Sequence, residues 1–376
     1  MASIAIKNLL HEKVRFAVTL TGIVFSIILT AVQLGIFLGF IEASTGLIGH
    51  SKADLWIISK GVTHVEQGVA FDETNLYRAL ETAGVASANM HITTLGAQAR
   101  KPDGSDEGVT LVGFDLDSGM GGPWNIVSGS IDDLRRPDAI MVDELYAANK
   151  LGVTRIGQVI ELNSRRARVV GFTRGIRIFT SQPAIFTSYK NAQRFIGLRE
   201  DQGYYVLVKL VPGADPAIVA NTIGARIKDA EVLTRGEFVF RQGMYWVIGT
   251  GAGITVLVAA VLAIIVGVVI VAQTIYSATV DHIREYGTLK AIGATNSYLY
   301  RIILTQSVVS GLIAYVIGIA ISLVISSVSM QGTLAIIVHF PLAVTLFILT
   351  IAMCCGASIV AIRKATTIDP AMVFRG

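Results

Sequence analysis

The sequence predicts an α-helical membrane protein: four transmembrane helices, with one large α+β domain inserted between the first and the second. Three observations carry that expectation. The chain of 376 residues is 52% hydrophobic and only 15% charged, against about 25% charged in an ordinary soluble domain. Its apolar residues gather into three uncharged runs, at 16–41, 242–280 and 302–362. Between the first two runs, charges, turn signals and short apolar segments return for 200 residues.

A helix needs about 20 apolar residues to cross a bilayer, and that length sorts the elements in order. Residues 1–15 carry Lys7, Lys13 and Arg15 around Leu9 and Leu10, the pattern of a short amphipathic helix on the membrane surface. Residues 16–41 form the first span. A cleaved signal peptide is the competing reading, but its apolar core runs to about 7–15 residues and this one has 26.

Residues 42–241 make the polar domain. Candidate strands are Leu55–Ser59, Val109–Phe114, Ala139–Val142, Val159–Leu162, Ala167–Phe172 and Tyr204–Leu210. Candidate helices are Glu73–Ala83, Glu144–Leu151, Tyr189–Phe195 and Pro216–Ala230. Two-residue alternation with short helices between the strands reads as α+β, in one lobe or two. Trp124, Phe179 and Phe186 are assigned to its core. The domain holds no cysteine, so no disulfide staples it.

The run 242–280 is 39 residues long, which as one helix reaches ~60 Å against a hydrocarbon core of ~30 Å. The second span therefore carries a surplus, read as a helical stalk under the polar domain; Gly249, Gly251 and Gly253 offer a break there instead. A charged segment follows at 281–300. The 61 uncharged residues between Arg301 and Arg363 suit two spans, 301–326 and 341–362, joined by a short turn at 327–340, its polar, glycine-containing stretch beginning at Ser326 and ending at Gly332. A tail, 363–376, closes the chain.

Orientation follows from short loops. The N-terminal segment, the 281–301 loop and the tail each hold three Lys or Arg, and the 327–340 turn holds none. Both termini and the 281–300 segment are thereby placed in the cytoplasm, and the large domain on the far side.

Chemistry is excluded more easily than assigned. There is no Gly-x-x-x-x-Gly-Lys-Ser/Thr to cradle a nucleotide, no His-Glu-x-x-His and no Gly-x-Ser-x-Gly, so no enzyme is expected. The six histidines are dispersed and lack carboxylates at ligand spacing. Cys354 and Cys355 are adjacent in an apolar run and read as packing residues. A net charge of +4 without a basic tract argues against nucleic acid. Apart from Arg301 at the very edge of the third, no Asp, Glu, Lys or Arg falls inside a span, which disfavours ion-coupled transport.

A mechanical role remains. In 281–293, Ile283, Tyr286, Leu289 and Ile292 recur every three residues, with His282, Arg284, Glu285 and Lys290 largely elsewhere. One stripe can rest on the membrane end of the bundle while the charged groups and the Gly293-Ala294 turn meet a partner. A solvated connector without a partner fits the periodicity equally well.

EYGTLKAIGAT (285–295), followed by YLYRIILTQSVVSG, resembles the signature segment of the FtsX/MacB/LolC class of ABC-transporter permeases, the type VII class. LLHEKVRFAVTLTGIVFSIILTAVQLG, REYGTLKAIGA and MCCGASIVAIRKATTIDPAMVFRG look closest to its DevC branch, and AIMVDELYAANKLGV…IGQVIELNSRRARVVGF resembles the MacB-class periplasmic domain. The resemblance implies a bacterial inner-membrane permease, non-catalytic, with no cofactor of its own. By the same resemblance, ATP and Mg would be bound by a partner, a cytoplasmic ABC ATPase subunit. It implies a homodimer, a periplasmic adaptor with an outer-membrane channel, and contact with membrane lipid. The segment 281–296 would be the coupling helix, with Asp281, Arg284, Glu285, Tyr286, Leu289, Lys290, Gly293 and Ala294 as its site residues. The implied work is export or extraction of a lipid or other amphipathic substrate by mechanotransmission. An FtsX-like regulator of a periplasmic hydrolase, or LolC/LolE-like lipoprotein extraction, stays open.

Overall fold

The computed structural model describes residues 13–333 and 335–366. The amphipathic N-terminal segment up to residue 12 and the tail beyond 366 lie outside the described residues. The chain divides into two compact units, Met1–Gly39 with Ile254–Gly376, and Phe40–Gly253.

Helix α1 (Lys13–Gly49) covers the first uncharged run and continues past it. The intervening unit then lays down β1 (Leu55–Ser59), β2 (Phe71–Asp72), α2 (Thr74–Leu80), β3 (Val85–Arg100), β4 (Asp106–Phe114), β5 (Ile126–Ser128) and β6 (Ala139–Asp143). It continues with α3 (Glu144–Leu151), β7 (Val159–Leu162), β8 (Arg165–Thr173), β9 (Ala184–Ser188), α4 (Tyr189–Ile196), β10 (Gln202–Gly203), β11 (Tyr205–Leu210), α5 (Pro216–Arg226), β12 (Ala230–Thr234) and α6 (Arg235–Met244).

The sequence sets the helix ends locally. Asp143 caps α3 through the Leu145 N–H, Asp215 caps α5 with Pro216 at its first position, and Thr234 with Glu237 forms a capping box on α6. Gly152 and Gly197 take the left-handed conformation that ends α3 and α4.

Two lobes share one strand. On one side β12, β1, β11 and β3 pair antiparallel in that order. On the other, β3 pairs β4, β4 pairs β9, β9 pairs β6, β6 pairs β8, β8 pairs β7, and β7 returns to β3. That second set is a closed ring, which leaves no free edge among its members. Residues 85–91 of β3 serve β11, and residues 92–100 serve β4 and β7 across a register shift between Thr94 and Ala97. One apolar core runs through both, from Ile223 and Val206 to Ala99 and Val169.

Two expectations need correction here. The helix expected over Pro216–Ala230 ends at Arg226 because Ile227 is extended and Ala230 opens β12, paired to Ser59 of β1. The single long helix expected over 242–280 does not form. After α6 the chain makes a π-helical turn, Tyr245–Gly249, and Gly251 then adopts φ +73° before α7 (Ala252–Asp281) begins. A left-handed residue interrupts a right-handed helix, and glycine takes that conformation without strain. Thr250 covers the break, donating to Trp246 O at 2.8 Å and accepting from Ala252 N at 3.2 Å.

The helical unit comprises most of α1 together with α7, α8 (Ile283–Ala291), α9 (Asn296–Ser329) and α10 (Phe340–Thr366). Among the described residues, four helices are long and apolar enough to cross a membrane: α1, α7, α9 and α10. They run beyond the spans drawn from charge, since α9 starts before Arg301 and α10 continues past Ile362.

Small residues bring these helices close. A methyl group added at Gly267 would lie 2.7 Å from Ser26 Oγ, one at Gly22 2.7 Å from Thr274 Oγ1, and one at Gly311 2.7 Å from Cys354 Sγ. In lipid, where apolar burial gives little drive for association, such close backbone approach is what packing rests on. Cys354 is buried in that core with Ile23, Ile27, Val271 and Ala314, and neither it nor Cys355 is bridged.

Candidate functional site

Helix α8 is set between two short turns. His282 precedes it, with Nδ1 3.0 Å from Glu285 Oε1. Its far end closes when Ala294 N donates to Leu289 O at 3.0 Å and Gly293 N to Lys290 O at 3.1 Å, with Gly293 at φ +101°. That is the pair of hydrogen bonds that closes a glycine-terminated helix. Thr295 is extended and starts α9 at once, so α8 is held at both ends by short, defined turns.

Tyr286 anchors it. The side chain is 3% exposed, packs with Leu299, Ile302, Ile303 and Ile362, and donates its hydroxyl to Gln306 Oε1 at 3.0 Å. Burial, reinforced by the Glu285 carboxylate, pushes its phenol above the ordinary tyrosine range. Leu289 packs at the margin of the same cluster. These two site residues therefore fix α8 to α9 and α10 and do not face outward. Asp281, Arg284, Glu285 and Gly293 are exposed, while Lys290 and Ala294 are half-buried.

The expected buried stripe holds only in part. Ile283 is half-buried and Tyr286 buried, but Ile292 is 80% exposed. A three-residue spacing drifts on a helix of 3.6 residues per turn, and the nine steps from Ile283 to Ile292 make about two and a half turns, which leaves Ile292 about half a revolution away from Ile283. Ile292 thus joins Arg284 and Glu285 as outward surface.

Sequence reasoning missed a second constellation, in the α+β unit. The Gln242 side chain accepts the Val65 N–H at 2.7 Å and donates to Ser44 O at 2.8 Å and to both Glu66 carboxyl oxygens at 3.0 and 3.2 Å. Burial pushes the Glu66 carboxyl above its ordinary value, against the opposing hydrogen bond from Gln242. Beside it Phe179 stands edge-on to Phe40, centroids 4.5 Å apart, and 4.9 Å from Trp246, while its N–H donates to Ala43 O. His64 stacks on Tyr245 at 4.1 Å. The last turns of α1, the loop at 62–67, the loop at 174–183 and the π-turn are tied at one point. Of the aromatics assigned to the core, Phe186 is fully buried, while Trp124 and Phe179 are half-buried. The sequence signal for the tie was slight: one glutamine at the head of an uncharged run.

Residues 16–226 match the family model described as MacB-like periplasmic core domain, and residues 257–370 match the one described as FtsX-like permease C-terminal. Four spanning helices around a domain of the periplasmic type, in that order, define an ABC-transporter permease. The chain belongs to the MacB/FtsX family of these permeases, and that family implies an ATPase partner. An uncharacterized ABC transporter permease of Mycobacterium tuberculosis is 25% identical over 383 residues, covering 99% of each chain. One of Mycobacterium bovis is 24% identical over 367 residues, covering 96% of this chain and 95% of its own. Among solved structures, the periplasmic region of MacB from Actinobacillus actinomycetemcomitans aligns with a TM-score of 0.39 and 11% identity, over 50% of this chain and 90% of that one.

Proposed function

We propose that the chain is the membrane subunit that receives the strokes of a separate ATPase at α8 and passes them to the α+β domain, so exporting or extracting a lipid or another amphipathic substrate. The observation that carries this reading is the two-faced build of α8: Tyr286 is locked to α9 and α10, while Arg284, Glu285 and Ile292 are turned outward. A short helix anchored by a buried aromatic moves with its bundle, so a force on its outer face becomes a displacement of the spans. Asp281, Lys290, Gly293 and Ala294 frame that face.

On this reading ATP and Mg belong to the partner and the permease performs no chemistry. It sits in the inner membrane as a homodimer, with both termini and α8 in the cytoplasm and the α+β domain in the periplasm. There it engages an adaptor and an outer-membrane channel, as in the DevC branch. The tie at Gln242 supports the mechanical part, because it joins the last turns of α1 to α6 through one buried side chain.

The test is ATP-dependent export from vesicles holding the permease and its cognate ATPase. Glu285→Ala combined with Gly293→Trp lowers export strongly on this reading, since the first removes an outward charge and the second forces a bulky side chain into a left-handed backbone position. Unchanged export by a folded double variant overturns the assignment.

A further inference from the structure

A crevice of about 350 Å³ opens where the first turns of α1, the last turns of α7 and the early turns of α9 converge. That volume falls within the roughly 300–1,000 Å³ of small-ligand sites. Its walls include Arg15, Gln273, Ser277, Asp281 and Gln306. The uncharged runs of these helices begin at Phe16, end at Val280 and begin at Ile302. The crevice therefore straddles the level at which a lipid headgroup gives way to its chains. Polar side chains set toward hydrocarbon are costly, so the polar part of this lining calls for a polar group, beside apolar walls from Phe16, Ile275 and Ile303.

An apolar track leads away from it. Val14, Val18 and Phe25 on α1 are 80%, 67% and 55% exposed. Four- and seven-residue steps keep them along one side of the helix. From Val14 to Phe25 is about 16 Å of helix at 1.5 Å per residue, close to half of a ~30 Å hydrocarbon core, one leaflet. Val14 and Val18 also line the crevice, and with Lys13, Ala17 and Thr21 they line an open recess beside it. A pocket of mixed polar and apolar lining, continuous with an apolar track one leaflet deep, is the complement of an amphiphile.

We propose that this crevice binds one phospholipid of the leaflet on the α8 side, with a phosphoethanolamine headgroup between Arg15 and Asp281 and an acyl chain along Val14–Phe25. Arg15 suits a phosphodiester, which it can grip by charge-assisted hydrogen bonds. Asp281 suits a primary ammonium. A purely anionic headgroup brings no positive charge to the Asp281 carboxylate, and a quaternary amine has no N–H to give it. Gln273 and Ser277 lie deeper, where the glycerol esters would sit. This occupant is a resident lipid at the foot of the bundle, held there whatever the permease transports.

The test is native mass spectrometry of the full chain in detergent, with phosphatidylethanolamine, phosphatidylcholine and phosphatidylglycerol added in turn, and glycerophosphoethanolamine as the headgroup alone. One phosphatidylethanolamine is expected to be retained at least about tenfold better than the other two lipids. Arg15→Ala, Asp281→Asn and Ser277→Trp should each abolish that preference, and the soluble headgroup should not displace the lipid at equal concentration. If Ser277→Trp fails to fold, Asp281→Asn and Ser277→Leu decide the matter. Retention unchanged in folded variants, no preference among the lipids, or equal binding of the soluble headgroup each overturns the proposal. The readout is bound lipid, so a failure of ATPase coupling leaves it unchanged.

Discussion

Gln242 holds Glu66 by both carboxyl oxygens, from a side chain that is itself fully buried and 176 residues further along the chain. The amide also accepts the Val65 N–H and donates to Ser44 O, so its polar atoms are all engaged. A carboxyl group 4% exposed tolerates its site because this neighbour satisfies it.

Gln242→Ala strands a buried carboxyl group and a buried N–H together, and about 2–3 kcal/mol of stability should be lost. Gln242→Leu with Glu66→Leu removes donor and acceptor alike, so its cost should fall below the sum of the two single variants. Urea unfolding followed by tryptophan fluorescence measures both, with Trp246 adjacent as reporter.

His91 gives the α+β unit an acid sensitivity. Desolvation holds its imidazole down to about 3, from 6.5. The folded chain keeps it neutral while the unfolded chain takes up a proton below pH 6.5, so its contribution is present above 6.5 and is lost as pH falls toward 3. The slope is at most about 1.4 kcal/mol per pH unit. Glu66, shifted upward, acts in the opposite sense: its folded form favours the proton, and stability from it is lost as pH rises. Comparing the wild-type protein with His91→Gln across pH 3–7 cancels Glu66, and the difference should flatten only above 6.5. A difference independent of pH would contradict the buried neutral histidine.

Two glycines should answer oppositely to a larger side chain. Gly267→Leu meets Ser26 Oγ at 2.7 Å from its first carbon and Thr30 Oγ1 at 3.1 Å, so α1 and α7 must part. A loss of about 1–3 kcal/mol is expected. Gly224 lies inside α5, and a methyl group there touches nothing within 4 Å. Gly224→Ala should stabilise by about 0.5–1 kcal/mol. Thermal unfolding of each variant in detergent separates the two.

On the coupling reading, Ile292→Asp and Arg284→Glu alter only outward surface, so stability should move by less than about 0.5 kcal/mol. Co-purification of the ATPase should nevertheless fall at least about tenfold. Tyr286→Phe should do the reverse, keeping the outer face and losing the bond to Gln306, for about 1 kcal/mol of stability. Equal ATPase recovery from all three variants would remove α8 from the contact.

The membrane helices were legible because hydrocarbon excludes charge, and the long helices lie on the charge-free runs. In the α+β unit β1, α3 and β7 could be read to the residue from apolar alternation and caps. The longest strand, β3, was not. Its sequence is rich in Ala, Ser and Asn with Gly96 inside it, so little outside residues 92–94 favours a strand, and β11 and β7, distant in sequence, hold it together with its hairpin partner β4. The outward turn of Ile292 was hidden by a three-residue rhythm that a 3.6-residue helix cannot keep. Gln242 was hidden because its three partners, Ser44, Val65 and Glu66, lie at least 176 residues away, and a single sequence carries no sign of such long-range satisfaction. Within the candidate site, the segment and its charged positions were readable, while the anchoring of Tyr286 by Gln306 needed coordinates.

The shared strand has a last consequence. Because β3 belongs covalently to both lobes, no seam runs between them along which one could slide over the other. Strain imposed on the four-stranded side reaches the ring through the common apolar core and along the shared backbone, across the irregular step at Thr94–Ala97. A deflection of one lobe is therefore handed to the other with little loss, since main chain and packed side chains both bridge them.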